Sequence, residues 1–368
     1  MTTTAFDGAH FRRLLLLLLL LPALLPCSAA AAESGEILPA ALLVHGKTLY
    51  AAAPDAGTIT AYDLSDPVDP KPTAVFRTAG SPCSLAVEGT RLYAVDTLEL
   101  FVLDIADPGT LKLVSRKKIS HDPLTGPVSV VLGKGDVCLA RRSAGVFLND
   151  EPVAGVYARC LAKSPENRLF AAGPRTVSSA DNHDDALSVP ILKGTPVAMM
   201  FRGGDLYLAM GFHGLTVLRS AADLCSVWEP GSVRKNTGAF RRAVWLRGGG
   251  FNWEEAALVM HESGPPGRFA RPDTFVCGMV FTERPAGYML LASGGSGVLT
   301  ADLTVPDKIR FVAECAGLTG RFCLGIALKD RYAYVYERGR GLLVLDASDP
   351  LNVQLIENGP AARGATRK

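Results

Sequence analysis

Short apolar runs, most of them four to six residues long, recur along this chain and are broken at regular intervals by glycine, aspartate or proline. Few of them alternate apolar with polar positions: Leu100-Phe101-Val102-Leu103 and Leu342-Leu343-Val344-Leu345 are apolar throughout. The runs are too short for helices, and their flanking turn residues mark them as strands. A strand with one wet face alternates, so strands of this kind predict cover on both faces. Two phrases repeat. One is strand, tight polar turn, strand, as in ALLVHGKTLYAAA, SLAVEGTRLYAVD, SVVLGKGDVCLA, CLAKSPENRLFAA, AMMFRGGDLYLAM, AVWLRGGGFNWEEAALVM, GMVFTERPAGYMLLA and GIALKDRYAYVY. Glycine in such turns supplies the positive φ that tight strand reversal needs.

The other phrase is an apolar run closed by Asp, in its full form followed by Asp-Pro: TITAYDLSDP, LFVLDIADP, GVFLND, GVLTADLTVPD and GLLVLDASDP, with GLTVLRSAAD a weaker copy. Its anchors Asp63, Asp104 and Asp150, then Asp302 and Asp346, step by 41 to 46 residues, and Arg219 to Asp302 covers two steps. A period of this length marks stacked β units, and radial packing of four-stranded units covers both faces of their middle strands. The expected fold is all-β, a β-propeller of four-stranded antiparallel blades. Eight hairpins predict eight blades; seven blades with a long insertion near 233–275 is the alternative. The Asp and Asp-Pro positions read as turn chemistry, because Asp accepts hydrogen bonds from its own turn and proline fixes φ. No catalytic role is expected of them.

LFVLDIADP, LLVLDASDP and TITAYDLSDP, each preceded by a hairpin such as VEGTRLYAVD, resemble the LVIVD repeat, known from exported bacterial and archaeal proteins. The likeness is good in those three units, fair over 196–230 and 276–315, and poor over about 126–190. It implies a propeller and an extracytoplasmic, periplasmic or cell-surface location, and it brings no catalytic residues.

Composition agrees with a globular, turn-rich chain: 48% hydrophobic, 20% charged, with 37 glycines and 24 prolines. The N-terminus reads separately. Arg12-Arg13, eight leucines and the small run Ser28–Ala32 form the basic, apolar and cleavage regions of an export signal. The expected domains are a signal peptide at 1–32, the propeller at 33–362 and a tail at 363–368. The apolar stretch is too short for a membrane-spanning helix, so an integral membrane protein is not expected. Cys27 leaves a lipid anchor open, although Pro26 departs from the small residue such processing prefers. Seven further cysteines show no CxxC or zinc spacing, so no metal is expected, nor any cofactor.

The net charge of +2 conceals a sorting by face. In a propeller, connections between second and third strands and between blades share an upper face; the remaining connections share the lower. The upper set is rich in arginine and the lower third-to-fourth turns in aspartate. Ligand-binding candidates are Arg141, Arg142, His213, Arg241, Arg242, His261, Glu262, Arg268, Arg271, Arg338 and Arg340. Guanidinium groups suit bidentate contact with anions, so the expected partner is an anionic glycan, lipid or acidic protein; export disfavours nucleic acid. The leading function is a non-enzymatic binding or protein-interaction scaffold. The alternative is a propeller enzyme with His213, His261 and Glu262 in its central funnel. Within the upper set the long loop 260–273 is the first place to look for binding. The run Asp181–Asp185 lacks the spacing of a calcium loop, and Trp228, Trp245 and Trp253 read as packing residues.

Overall fold

The structure is a computed structural model, and it describes residues 38–133, 135–155, 157–174, 176–180, 188–190, 196–220, 240–246, 275–305 and 309–356. Among these residues 28 strands form seven four-stranded antiparallel sheets. Blade 1 holds β1 (Ala41–His45), β2 (Thr48–Ala53), β3 (Thr58–Asp63) and β4 (Lys71–Arg77). Blade 2 holds β5 (Ser84–Glu88), β6 (Arg91–Val95), β7 (Glu99–Asp104) and β8 (Lys112–Lys118). Blade 3 has β9 (Ser129–Gly133), β10 (Asp136–Ala140), β11 (Val146–Leu148) and β12 (Glu151–Ala154). Blade 4 has β13 (Cys160–Lys163), β14 (Leu169–Ala172), β15 (Thr176–Ser179) and β16 (Ser188–Pro190). Blade 5 has β17 (Ala198–Arg202), β18 (Asp205–Ala209), β19 (Leu215–Ser220) and β20 (Phe240–Leu246). Blade 6 has β21 (Val276–Phe281), β22 (Tyr288–Ser293), β23 (Val298–Asp302) and β24 (Arg310–Glu314). Blade 7 has β25 (Cys323–Lys329), β26 (Tyr332–Glu337), β27 (Gly341–Asp346) and β28 (Gln354–Leu355).

The first strand of each blade packs on the first strand of the next, and β25 packs on β1, so the sheets circle an axis. Among the described residues the seam between blades 7 and 1 involves no strand exchange. It is joined by the Ala40 N–H donating to the Leu324 carbonyl at 3.0 Å. Gly325 sits at that seam because a β-carbon there would overlap the Ala40 carbonyl oxygen.

The described residues form seven blades, the alternative expectation, and not the eight that the hairpins favoured. Ala243–Leu246, the first half of the sixth expected hairpin, pairs along β19 instead, with Val217 opposite Val244 and Thr216 opposite Trp245. It is the outer strand of blade 5. A run of apolar residues before a glycine turn looks the same whether it opens a hairpin or closes a sheet, and periodicity cannot separate the two. The second half of that expected hairpin, 247–260, lies outside the described residues, as does the loop 260–273.

The non-alternating strands are explained by their neighbours. Leu342 and Val344 of β27 pack with Leu49 of blade 1. Leu343 and Leu345 pack with Leu290 and Ala292 of blade 6. Successive side chains of a strand point to opposite faces, and here each face meets a different blade. Other inter-blade cores follow the same rule, with Tyr50, Ile59, Leu92 and Phe101 between blades 1 and 2, and Tyr207, Leu215, Met289 and Leu299 between blades 5 and 6. Burying each such side chain contributes roughly 1.5–3 kcal/mol. Among the described residues no helix is long and apolar enough to cross a membrane.

The Asp-x-x-Asp-Pro phrase has two jobs. Asp63, Asp104 and Asp346 each accept the backbone N–H two residues on, from Ser65, Ala106 and Ser348, all at 2.9 Å. The second aspartates, Asp66, Asp107 and Asp349, do the same for Val68, Gly109 and Leu351 at 2.9–3.1 Å. These are Asx turns, the local bonding for which aspartate is selected in turns. Each following proline carbonyl then receives a hydroxyl from the preceding blade. Thr300 Oγ1 donates to Pro350 at 2.7 Å, Tyr334 Oη to Pro67 at 3.2 Å and Thr73 Oγ1 to Pro108 at 3.3 Å. The phrase is therefore a latch between blades as well as a turn.

Candidate anion site on the upper face

The last residue of β26 and the residue just after β6 occupy the same position in their blades, and both are acids whose carboxyl groups are buried: Glu337 and Asp96. A buried carboxylate must be paired or fully hydrogen-bonded, and the two blades solve this differently. In blade 2, Asp96 accepts three backbone N–H groups, from Leu98 and Glu99 at 2.7 Å and from Gly80 at 2.8 Å. Burial nonetheless outweighs these bonds and raises its pKa above the ordinary carboxylate value. In blade 7, Glu337 is approached by guanidinium groups. Arg321 Nη1 lies 3.5 Å from Oε2 and Arg340 Nε lies 3.8 Å from Oε1.

The turn that carries Arg340 is held from the next blade. Asp55 accepts the Tyr336 hydroxyl at 2.8 Å and the Gly339 N–H at 3.0 Å. Burial and that carboxylate together raise the Tyr336 pKa well above its usual value, so the phenol stays protonated as donor. Arg338, between the two pinned residues, is exposed and lies with its Cζ 5.9 Å from the Phe322 ring centroid. Two guanidinium groups thus approach one buried carboxylate, with Arg338 exposed in the same turn as Arg340 and Asp55 bound to that turn. The two ion pairs are at the long end of the range and leave N–H donors free to turn toward a ligand. Among the candidates read from sequence, Arg338 and Arg340 come together here, with Arg321 beside them.

The other candidates are dispersed. Arg141 and Arg142 follow β10 on the upper face of blade 3. Arg141 Cζ lies 4.3 Å from the Phe147 ring centroid, and its Nη2 donates to the Ile119 carbonyl at 3.2 Å. Arg142 is buried, takes a positive φ of 47°, and donates to the Pro123 carbonyl. It is a structural brace for the entrance to blade 4, since its own carbonyl accepts the Ala158 N–H at 3.0 Å. His213 sits in the upper turn of blade 5 beside the exposed Phe212, whose ring packs edge-on against Phe275 at 4.8 Å. Arg241 and Arg242 correct the sequence reading. They lie near the start of β20, with Arg242 opposite Arg219, toward the lower end of blade 5 and away from the upper loops. The cause is the strand assignment that also removed the eighth blade. His261, Glu262, Arg268 and Arg271 lie outside the described residues, as do Asp181–Asp185.

Sequence reasoning missed Glu337, Asp96, Asp55 and Tyr336. The signal for the first two was present, since LYAVD and AYVYE both end in an acid once the hairpins are laid over one another. The pairing of Asp55 with Tyr336 joins residues 281 positions apart and had no local trace.

The family model for the LVIVD repeat matches residues 79–117 and 321–358. The chain carries LVIVD repeats. Each matched stretch spans one blade of the structure, blade 2 and blade 7, together with the connection that leads into it. A search of curated proteins finds no matching sequence. Solved structures do match in shape. The Myceliophteria thermophila Cps50 (Swd1) β-propeller domain is 12% identical, with a TM-score of 0.58 over 84% of this chain and 96% of that one. Virginiamycin B lyase from Staphylococcus aureus is 11% identical, with a TM-score of 0.52 over 81% and 90%. At these identities the likeness is one of fold alone.

Proposed function

We propose that this LVIVD-repeat propeller is an exported, non-enzymatic binding scaffold that takes an anionic ligand or partner on its upper face. The observation that carries the reading is the approach of Arg321 and Arg340 to the buried Glu337, with Arg338 exposed in the turn that carries Arg340. Oriented guanidinium groups on a rigid turn favour carboxylate, sulfate or phosphate groups. The export half rests on the Arg12-Arg13, leucine-run and small-residue order of the N-terminus. Cys160, Cys277 and Cys315 are buried, and burial pushes each up to about 12, which suits packing rather than nucleophilic attack.

The test is binding of the mature chain to polygalacturonate and, separately, to phosphatidylglycerol vesicles, which distinguishes a glycan source of negative charge from a lipid one. Wild type is expected to bind one of them, and the double charge reversal Arg338→Glu with Arg340→Glu to weaken that binding at least about tenfold. Binding to neither, or binding unchanged by the reversal, overturns the reading. N-terminal sequencing of the same preparation, made in a bacterial host, is expected to begin near residue 33 outside the cytoplasm; a full-length cytoplasmic chain would overturn the address.

A further inference from the structure

The outer rim of blade 2 is a long edge that neither proline nor shortening protects. An edge strand presents unpaired N–H and C=O groups, and proteins commonly protect such edges by shortening them or placing proline in them. Among the described outer strands, β28 has 2 residues, β16 has 3, β12 has 4 with Pro152, β24 has 5 and β4 carries Pro72, whereas β20, like β8, has 7 with no proline or glycine. The strand β8, sequence KLVSRKK, has 7 residues and no proline or glycine, and every one of its residues is exposed. It pairs with β7 on one side, and no described strand covers the other. Leu113 and Val114 stand 45% and 50% exposed in it, beside four cations and no acid.

Two of those cations are partly neutralised. Arg116 pairs with Glu99 at 2.7 Å, and Lys117 pairs with Asp150 of blade 3. Lys112 and Lys118, at the two ends of the strand, stand in register opposite Asp104 and Glu99, and Lys112 interacts electrostatically with Asp104, but neither lysine comes within 4.0 Å of a carboxylate among the described residues. This arrangement decides which strand can join the edge. A second copy of β8 would bring four cations against four, and like charges opposed across strands are destabilising. An acidic strand meets complementary charge at both ends and apolar contact at Leu113 and Val114.

We propose that β8 is a docking edge for an extended acidic segment of a partner protein, which adds to blade 2 as a fifth strand. Backbone hydrogen bonds supply the attachment and the cations supply the selection. The surface is separate from the upper-face arginines.

The experiment uses the full mature chain and a fluorescein-labelled twelve-residue peptide in which Glu alternates with Val and Thr. Fluorescence anisotropy is expected to report binding that weakens at least about tenfold between about 0.05 M and about 0.5 M salt. The exposed pair Lys112→Glu with Lys118→Glu is expected to weaken it by a similar factor. Hydrogen exchange is expected to slow at β8 amides when peptide is added, a readout that charge attraction alone would not give. No binding at about millimolar peptide, the lower limit of useful affinity, overturns the proposal. So does protection at 336–341 in place of β8, or binding to phosphatidylserine vesicles without binding to the peptide.

Discussion

Blades 7, 1 and 2 are consecutive around the ring across the seam, and all three carry the full Asp-x-x-Asp-Pro phrase, whereas blades 3, 4 and 5 do not. In the first sector every phrase proline accepts a hydroxyl from the blade before it. Blade 3 instead turns on Asn149 and Asp150, both at positive φ (47° and 77°). Asn149 Oδ1 accepts the Val137 N–H at 2.9 Å, which closes the turn within the blade itself. A two-residue turn of this kind suits a tight hairpin, and it meets the preceding blade through the exposed Asp150–Lys117 ion pair in place of a hydroxyl on a proline carbonyl. The difference shows that the repeated phrase marks a contact between units, so its loss weakens a repeat match more than it weakens the fold. Third-strand length follows the division only in part: β3, β7 and β27 have 6 residues each and β11 and β15 only 3 and 4, but β19 of blade 5 keeps 6.

The comparison breaks most sharply at the seam. Gly325→Ala places a methyl group against the Ala40 backbone, and about 3 kcal/mol or more of destabilisation is expected from such overpacking. Gly278→Ala, whose β-carbon would stand 3.2 Å from Gly325 Cα, is expected to cost less. Urea midpoints for the two variants check the order, and the reverse order would show that the seam is not what closes the ring. The latch gives a middle-sized effect. Thr300→Val keeps the shape and removes the donor to the Pro350 carbonyl, for an expected loss of about 1–2 kcal/mol. Tyr334→Phe, with the longer bond to Pro67, is expected to lose less. No change in either would reduce the Asp-Pro phrase to turn chemistry alone.

The smallest effect is in pH dependence, and it has opposite signs at two carboxylates of one blade. The Ala106 N–H and the Arg91 guanidinium hold the Asp104 pKa below its ordinary value. Its stabilisation is complete above that ordinary value, about 3.9, and is lost as pH falls through the lower folded value. Burial raises the Asp96 pKa, so keeping it charged costs stability at neutral pH, and this cost is relieved as pH falls through the raised value. Asp104→Asn is expected to flatten the acid limb of stability against pH, and Asp96→Asn to remove the relief between the ordinary and raised values. Urea midpoints taken across that range check both signs.

The sequence by itself determined that the fold is an all-β propeller, because strands such as GLLVLD are apolar on both faces and only neighbours on both sides can cover them. It also determined the place of the Asx turns, which are bonds between residues two apart. It did not determine the number of blades, since the apolar run at Ala243–Leu246 is compatible with either a first or a last strand, and only pairing with β19 settled which. Nor could it separate bracing arginines from available ones: Arg142 and Arg338 both follow second strands, yet one is buried against Pro123 and the other exposed over Phe322. Tertiary structure decided these points because charge and periodicity are properties of a segment, while pairing and burial belong to whatever the ring brings beside it.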